Sequence, residues 1–176
     1  WFGRKDVFNK ENSTNHTWKA NPDKITFPED KTWKDYVRAT RLEMTCGEAP
    51  YLVSRYDATT GEPIPLQERI GLLDRKLRVV SENTETSGDW LDWAQTAYKN
   101  IYGFEWQGDN VFLARENMLW TVLEYYKHYC SPTPISHEDL LELANIVSWN
   151  IWQMDGLKFV VPLSCHDETI LPKTPK

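Results

Sequence analysis

The sequence predicts one helix-rich α/β domain, with a mostly α arrangement as the alternative. Three observations carry that expectation. The chain has 176 residues, inside the usual range for a single compact domain. Several segments repeat apolar residues at spacings of three and four, the period of a helix with one buried face. Short apolar runs bounded by glycine-containing turns interrupt those segments, as strands would.

Residues 1–32 are polar and without sustained period, and read as an irregular N-terminal arm pinned by Trp1, Phe2, Phe8 and Trp18. Thr32 to Val37 looks like a helix start, and Arg41 to Thr45 reads as a strand running into a tight turn at Cys46-Gly47-Glu48-Ala49-Pro50. Tyr51 to Tyr56 is a short apolar segment, followed by a turn-rich loop over 57–63. Leu66 to Val80 is expected to be helical, with Leu66, Ile70, Leu73, Leu77 and Val80 on one face. Ser87-Gly88-Asp89 places an acid at a helix start, and Trp90, Leu91, Ala94, Ala97, Tyr98 and Ile101 form that helix's stripe.

Ile101 to Trp106 reads as a buried strand, and a long helix is expected from there to about Tyr129. Ser131-Pro132-Thr133-Pro134 breaks it. Ser136 stands three residues before Asp139, the spacing of a capping box. Leu140, Ala144, Val147, Ile151 and Met154 continue one apolar face, and Leu157 to Leu163 alternates weakly, as a strand would. The expected organisation is thus an arm over 1–32, a domain over 33–163 and a tail over 164–176.

Composition narrows the function classes. Nine Trp and eight Tyr point to a core built from large rings, some of which can serve a binding surface. Three cysteines (Cys46, Cys130, Cys165) make no complete disulfide framework and no CxxC pair, which favours a reducing, cytoplasmic setting without structural zinc. Cys165-His166 alone does not make a metal site, and no metal is expected. No apolar stretch approaches the roughly 18 to 20 residues that span a bilayer, so no membrane association is expected. Trp1-Phe2-Gly3-Arg4 carries no signal-like apolar core, and a start without Met suggests a piece of something longer. The net charge of −6 is unusual for a stand-alone nucleic-acid binder. If DNA is a partner, other residues or another subunit must supply most of the phosphate contacts.

Three segments carry candidate chemistry. The strand ending at Cys46-Gly47-Glu48 lets backbone approach a nucleotide-like ligand with no side chain intervening. A plain strand-to-helix turn is the bland alternative. Glu105, at the carboxyl end of Ile101-Tyr102-Gly103-Phe104-Glu105, can accept hydrogen bonds from both ribose hydroxyls, as acids do in dinucleotide folds; a solvated strand-end acid is its alternative. Asp155-Gly156, after Asn150-Ile151-Trp152-Gln153-Met154, can accept from an exocyclic amine of an adenine ring, or be an ordinary turn.

Together these segments resemble the class I S-adenosylmethionine-dependent methyltransferases. The match is to the branch that methylates adenine in restriction-modification systems, including bacterial and phage proteins of the restriction endonuclease subunit M type. Leu42-Glu43 with Cys46-Gly47-Glu48 is similar to that branch's first motif, roughly Glu-Pro-x-Cys-Gly-x-Gly. Tyr102-Gly103-Phe104-Glu105 followed by Leu113-Ala114-Arg115-Glu116-Asn117-Met118-Leu119 resembles the second, and Asn150 to Leu157 the third. The resemblance spans Trp33 to Pro162, with Leu72 to Val80 included. It implies a partial Rossmann-like, methyltransferase-like sheet, S-adenosylmethionine as cofactor and DNA as partner. It also implies that Cys46, Gly47 and Glu48 line the methionine portion, Glu105 holds the ribose, and Asp155 with Gly156 meets the adenine.

This chain departs from the pattern in three ways. The second glycine of the first motif is replaced: Ala49 stands there, followed by Pro50. The stretch from Cys46 to Glu105 is longer than one strand-helix-strand unit, with 66–86 resembling an inserted helix. The catalytic Asn/Asp-Pro-Pro-Tyr/Phe motif, which accepts from the target amine and stacks on the flipped base, is absent. Methyl transfer by residues 1–176 alone is therefore not expected, and the catalytic residues are unknown. The alternative function is a non-catalytic acidic interaction module of a restriction-modification or phage system, docking a protein partner or imitating DNA charge. Other chemistries fare worse. There is no Gly-x-Ser-x-Gly elbow, P-loop or His-Glu-x-x-His helix. Cys46 with His128 or His137 lacks a supporting spacing, and Glu124-Tyr125-Tyr126-Lys127 is a poor imitation of a nuclease site.

Overall fold

The computed structural model describes residues 2, 7–12, 14, 17–130, 132, 134–158 and 160–162. It is a mixed α/β structure built on a three-stranded parallel sheet, which excludes the mostly α alternative. Strand β1 (Asn9–Asn12) pairs antiparallel with β2 (Thr17–Ala20), so part of the arm expected to be irregular is a hairpin. Phe2 and Phe8 pack with Phe27 around Tyr36, ring centroids 5.3 to 5.9 Å apart. Trp1 and the side chain of Trp18 lie outside the described residues.

Helix α1 (Trp33–Arg38) starts at a capping box. Thr32 Oγ1 accepts from the Asp35 amide at 3.2 Å, and Asp35 Oδ2 accepts from the Thr32 amide at 2.9 Å. Strand β3 (Arg41–Met44) follows, and the next regular element is a single 3-10 turn at Leu66–Glu68. Helix α2 runs over Leu72–Asn83 rather than 66–80, and the reason is not local. Ser54 Oγ accepts from the Ile70 and Gly71 amides, while the Leu72 and Leu73 amides donate to the Tyr51 and Leu52 carbonyls. A Cβ on Gly71 would lie 2.4 Å from the Leu52 oxygen, so only glycine permits this approach. Leu66 and Ile70 thus belong to the segment docked under α2 and not to its face.

Helix α3 (Ser87–Lys99) is capped by Thr86, whose side chain accepts from the Asp89 amide. Strand β4 (Ile101–Glu105) and helix α4 (Gly108–Tyr129) fall where the periodicity predicts them. Helix α5 (His137–Asn150) is capped by Ser136 Oγ on the Asp139 amide at 3.1 Å.

Two sequence expectations are corrected beyond this point. The apolar face read through Ile151 and Met154 is not helical, because the chain turns directly into strand β5 (Ile151–Gln153). The switch is fixed by Asn150, whose Nδ2 donates to the Tyr98 and Ile101 carbonyls at 2.9 and 3.0 Å. Likewise the described residues of 157–162 form no strand, and an isolated bridge joins Asp155 to Val160; Phe159 and Leu163 lie outside the described residues.

The sheet order is β3-β4-β5, all parallel, with Glu43, Gly103 and Ile151 in one row and Met44, Phe104 and Trp152 in the next. Side chains alternate across a sheet. Ile101, Gly103 and Glu105 therefore share the buried side, where a Cβ on Gly103 would lie 2.9 Å from Cys46 Sγ and 3.3 Å from Leu52 Cδ1. At the amino end of the sheet, Lys76 Nζ donates to the Ala39 carbonyl at 2.7 Å and the Asn100 carbonyl at 3.0 Å. No helix among the described residues is long and apolar enough to cross a membrane.

Candidate functional site at the carboxyl edge of the sheet

The turn after β3 has unusual backbone. Thr45, Gly47 and Ala49 have φ of 59°, 53° and 67°, three left-handed residues in five. For Thr and Ala that conformation costs about 1–2 kcal/mol each, because Cβ crowds the following carbonyl. Such residues persist only where surroundings over-determine them, and they cluster at ligand sites. Here the Cys46 amide donates to the Phe104 carbonyl at 2.9 Å, and the Ala49 amide donates to the Cys46 carbonyl at 2.8 Å. Ala49 thus adopts a left-handed conformation that a glycine takes without strain.

Glu105 holds this turn from the next strand. Its Oε2 accepts from the Gly47 amide at 2.8 Å, and its Oε1 accepts from the Gln107 amide at 3.1 Å and Asn110 Nδ2 at 3.5 Å. Burial alone would raise this carboxyl, but the Gln107 and Gly47 amides outweigh it and hold the group below its ordinary value. The Trp106 amide also helps to hold the charge, so groups of the protein itself take up most of the carboxylate's about four acceptor positions. A Cβ placed on Gly47 would meet nothing within 4 Å, so the backbone there faces open space.

The third segment comes to the same edge. The Met154 amide donates to the Glu105 carbonyl at 2.8 Å, and a Cβ on Gly156 would lie 3.7 Å from Met44 Cβ. The loop after β5 therefore crosses the end of β4 and reaches β3. Asp155 itself is turned on its own loop, with Oδ1 accepting from the Leu157 and Lys158 amides at 2.9 and 3.0 Å. Those bonds, Lys158 first, hold its carboxyl below the ordinary range. Glu48 is also committed: its Oε2 accepts from the Tyr56 hydroxyl and its carbonyl accepts from Asn117 Nδ2 at 3.0 Å.

Of the six positions singled out by sequence, Gly47 and Glu105 are joined directly and Cys46 adjoins them, whereas Gly156 lies against Met44, on the side of the sheet opposite the Glu105 carboxylate. Glu48 and Asp155 are at the edge with their side chains in use elsewhere. Cys46 is buried, and burial, followed by the charges of Glu43 and Glu105, pushes its thiol up to about 12. A thiol that resists ionisation is a packing group and not a nucleophile.

Sequence reasoning missed the residues that hold the edge together. In the Leu-Ala-Arg-x-Asn stretch of α4, Arg115 donates to the Ile151 carbonyl from Nε and Nη2 and to the Ser148 carbonyl from Nη2, tying α4 to the start of β5. Asn117, two residues on, ties α4 to the Glu48 turn and accepts from Arg55 Nη1 at 3.1 Å. Arg55 and Arg69 in turn both bind Glu124, which accounts for that acid structurally. Glu43 is the other omission. It stands beside Gly103 on the buried side, its Oε2 is buried with no hydrogen-bond partner among the described residues, and burial pushes it up to about 7.

A cavity of about 360 Å³ is lined by Leu66, Arg78, Glu82, Tyr125, Tyr129 and the 20–22 segment, and a shallower one of about 520 Å³ by Leu66, Arg69, Glu124, Lys127 and His128. Neither includes a residue of the carboxyl edge. No group of three potential metal-ligating side chains occurs among the described residues; Cys165 and His166 lie outside them. Comparison with protein-family models, curated proteins and solved structures finds no match to this chain.

Proposed function

We propose that this chain is the S-adenosylmethionine-binding portion of an adenine-specific DNA methyltransferase of a restriction-modification system. The observation that carries the reading is the 2.8 Å bond from the Gly47 amide to the Glu105 carboxylate. It sets a left-handed, open turn beside an ionised acid at the carboxyl ends of two neighbouring parallel strands. Ligands of open parallel α/β sheets bind in the crevice outside those ends. In this reading, the Cys46–Glu48 backbone lines the methionine portion. Glu105 accepts from the ribose hydroxyls in exchange for its longest present bond, from Asn110 Nδ2 at 3.5 Å, and the Asp155-Gly156 loop borders the adenine. The cofactor supplies an activated methyl group. The protein's part is to bind and orient it, with the left-handed turn fixed before the ligand arrives. The groups that accept the target adenine come from outside these 176 residues, so no methylation is expected from this chain alone.

Titration calorimetry with S-adenosylmethionine tests the reading. Micromolar binding is expected, with Glu105→Ala weakening it at least about tenfold, equivalent to about 1.4 kcal/mol. Glu142→Ala, on the exposed face of α5, is expected to leave it unchanged. Absence of heat from a sample with a cooperative melting transition would remove the cofactor from the proposal.

A further inference from the structure

The two cavities adjoin at Leu66, which lines both, and their walls differ in character. The cavity of about 360 Å³ has Tyr125 and Tyr129 in its lining, their rings inclined by only 22° with centroids 6.1 Å apart. Tyr129 is 44% exposed, so a ligand can reach its ring. Arg78 and Glu82, also in the lining, are already occupied. Arg78 Nε donates to Glu82 Oε1 at 2.7 Å, and Glu82 Oε2 accepts from the Ile25 amide at 2.8 Å. The Glu68 carboxylate has no partner among the described residues. This volume lies inside the range of about 300–1,000 Å³ common to small-molecule sites.

The shallower basin of about 520 Å³ is cationic. Arg69 and Lys127 line it, and Arg55 shares the acid Glu124 with Arg69. Three cations thus gather about a single carboxylate, in a chain whose net charge is −6. Burial alone would raise Glu124, but the bonds from Arg55 and Arg69 outweigh it and hold the group below its ordinary value. Lys127 Nζ and Arg69 Nη2 have no bond among the described residues. Basic residues in a last helical turn ordinarily answer the helix dipole. Arg55 and Arg69, however, come from outside α4. Gln67 of the first cavity and His128 of the second meet at 3.4 Å, Nε2 to Nε2, which sets the two spaces side by side.

We propose that the two cavities form one site for a nucleoside monophosphate, with the base against Tyr129 and the phosphate in the basin beside Arg69 and Lys127. Adjacency selects this class: an anion without a ring fills only the basin, and a ring without charge fills only the cavity. A base stacks on an aromatic face whatever its identity. The Glu68 carboxylate accepts from an exocyclic amine such as that of adenine. Arginine presents N–H groups in a fork that matches phosphate oxygens, and lysine adds a point charge. The site shares no residue with the carboxyl edge of the sheet and does not depend on cofactor binding there.

Calorimetric titration of the full chain with AMP tests the proposal, with adenosine, ribose 5-phosphate and inorganic phosphate as probes that each lack one part. AMP is expected to bind, and each of the other three at least about tenfold more weakly. Lys127→Ala should weaken AMP at least about fivefold with an unchanged melting temperature, because its ammonium has no partner to lose. Tyr129→Leu should weaken AMP by a similar factor and leave inorganic phosphate unaffected. Inorganic phosphate or adenosine binding as tightly as AMP would overturn the joint site. So would AMP binding that neither variant changes, or that S-adenosylmethionine displaces, since that places the nucleotide at the carboxyl edge. No AMP binding by a sample with a cooperative melting transition would overturn it outright.

Discussion

The amino and carboxyl ends of the parallel sheet are built on opposite plans. At the amino end, buried polar side chains bridge backbone carbonyls: Lys76 Nζ those of Ala39 and Asn100, and Asn150 Nδ2 those of Tyr98 and Ile101. Each of the two side chains fastens a pair of non-local segments. At the carboxyl end the backbone is left-handed at three positions, a carboxyl is buried without a full set of partners, and Trp106 is 53% exposed. At one end buried side chains pair with backbone carbonyls; the other holds left-handed residues and, at Glu43 Oε2, a buried oxygen without a partner among the described residues. The contrast shows where the molecule is stable and where it is able to bind. Strain and unsatisfied polar groups cost free energy, and a fold can carry them only when the opposite end is secure.

The largest expected effect is at the secure end. Lys76→Ala removes a fully buried side chain and orphans two carbonyls, and is expected to cost about 2–4 kcal/mol, read by chemical denaturation. If Glu105→Gln at the open end costs as much, the contrast fails. Next in size is Asn117→Ala, which frees the Glu48 carbonyl and Arg55 Nη1. A loss of about 1–2 kcal/mol is expected, accompanied by faster hydrogen exchange across 46–49. A loss of stability without any local change in exchange would show that Asn117 does not hold the turn.

The third prediction is one of pH. Burial raises Glu43 to about 7, so the native state retains its proton where the unfolded chain has released it. Stability should therefore be greatest below the unfolded value of about 4.5 and fall as pH rises through 7. Asp74, raised to about 6 chiefly by burial, contributes a slope of the same sign that is complete earlier. The fall between pH 6 and 7 consequently belongs to Glu43, and Glu43→Gln should flatten it. A slope unchanged in that variant would place the titrating group elsewhere. Smallest is Thr45→Gly, which relieves a left-handed β-branched residue but adds freedom to the unfolded chain. The net expectation is a gain of about 0.5 kcal/mol, or a rise of one or two degrees in Tm.

The helices were legible wherever their signals are local. The helix start at Ser87-Gly88-Asp89, the cap at Ser136 and the long helix after Glu105 need only neighbours in sequence. The break at 69–71 was not legible, because it depends on the Leu52 carbonyl lying where a Cβ on Gly71 would be. Nor was β5: Ile151-Trp152-Gln153 continues a helical period as easily as it forms a strand, and pairing with β4 decided between them. At the site, Cys46, Gly47 and Glu105 could be selected by their chemistry. Arg115 and Asn117 stood out only as part of the Leu-Ala-Arg-x-Asn stretch, and their bonds to the Ile151 and Glu48 carbonyls were not legible because those partners are distant in sequence.

Residue order alone thus determined the helix-forming periods, the caps, the Gly47 turn and an acid at the end of a strand, since each depends on neighbours a few positions apart. Folding in three dimensions decided that Gly47 and Glu105, 58 positions apart, share a hydrogen bond. It also decided that Ala49 takes a left-handed backbone and that the Met154 amide meets the end of β4. Those outcomes depend on which distant group satisfies a given amide or covers a given apolar surface, and the local pattern carries no record of that choice.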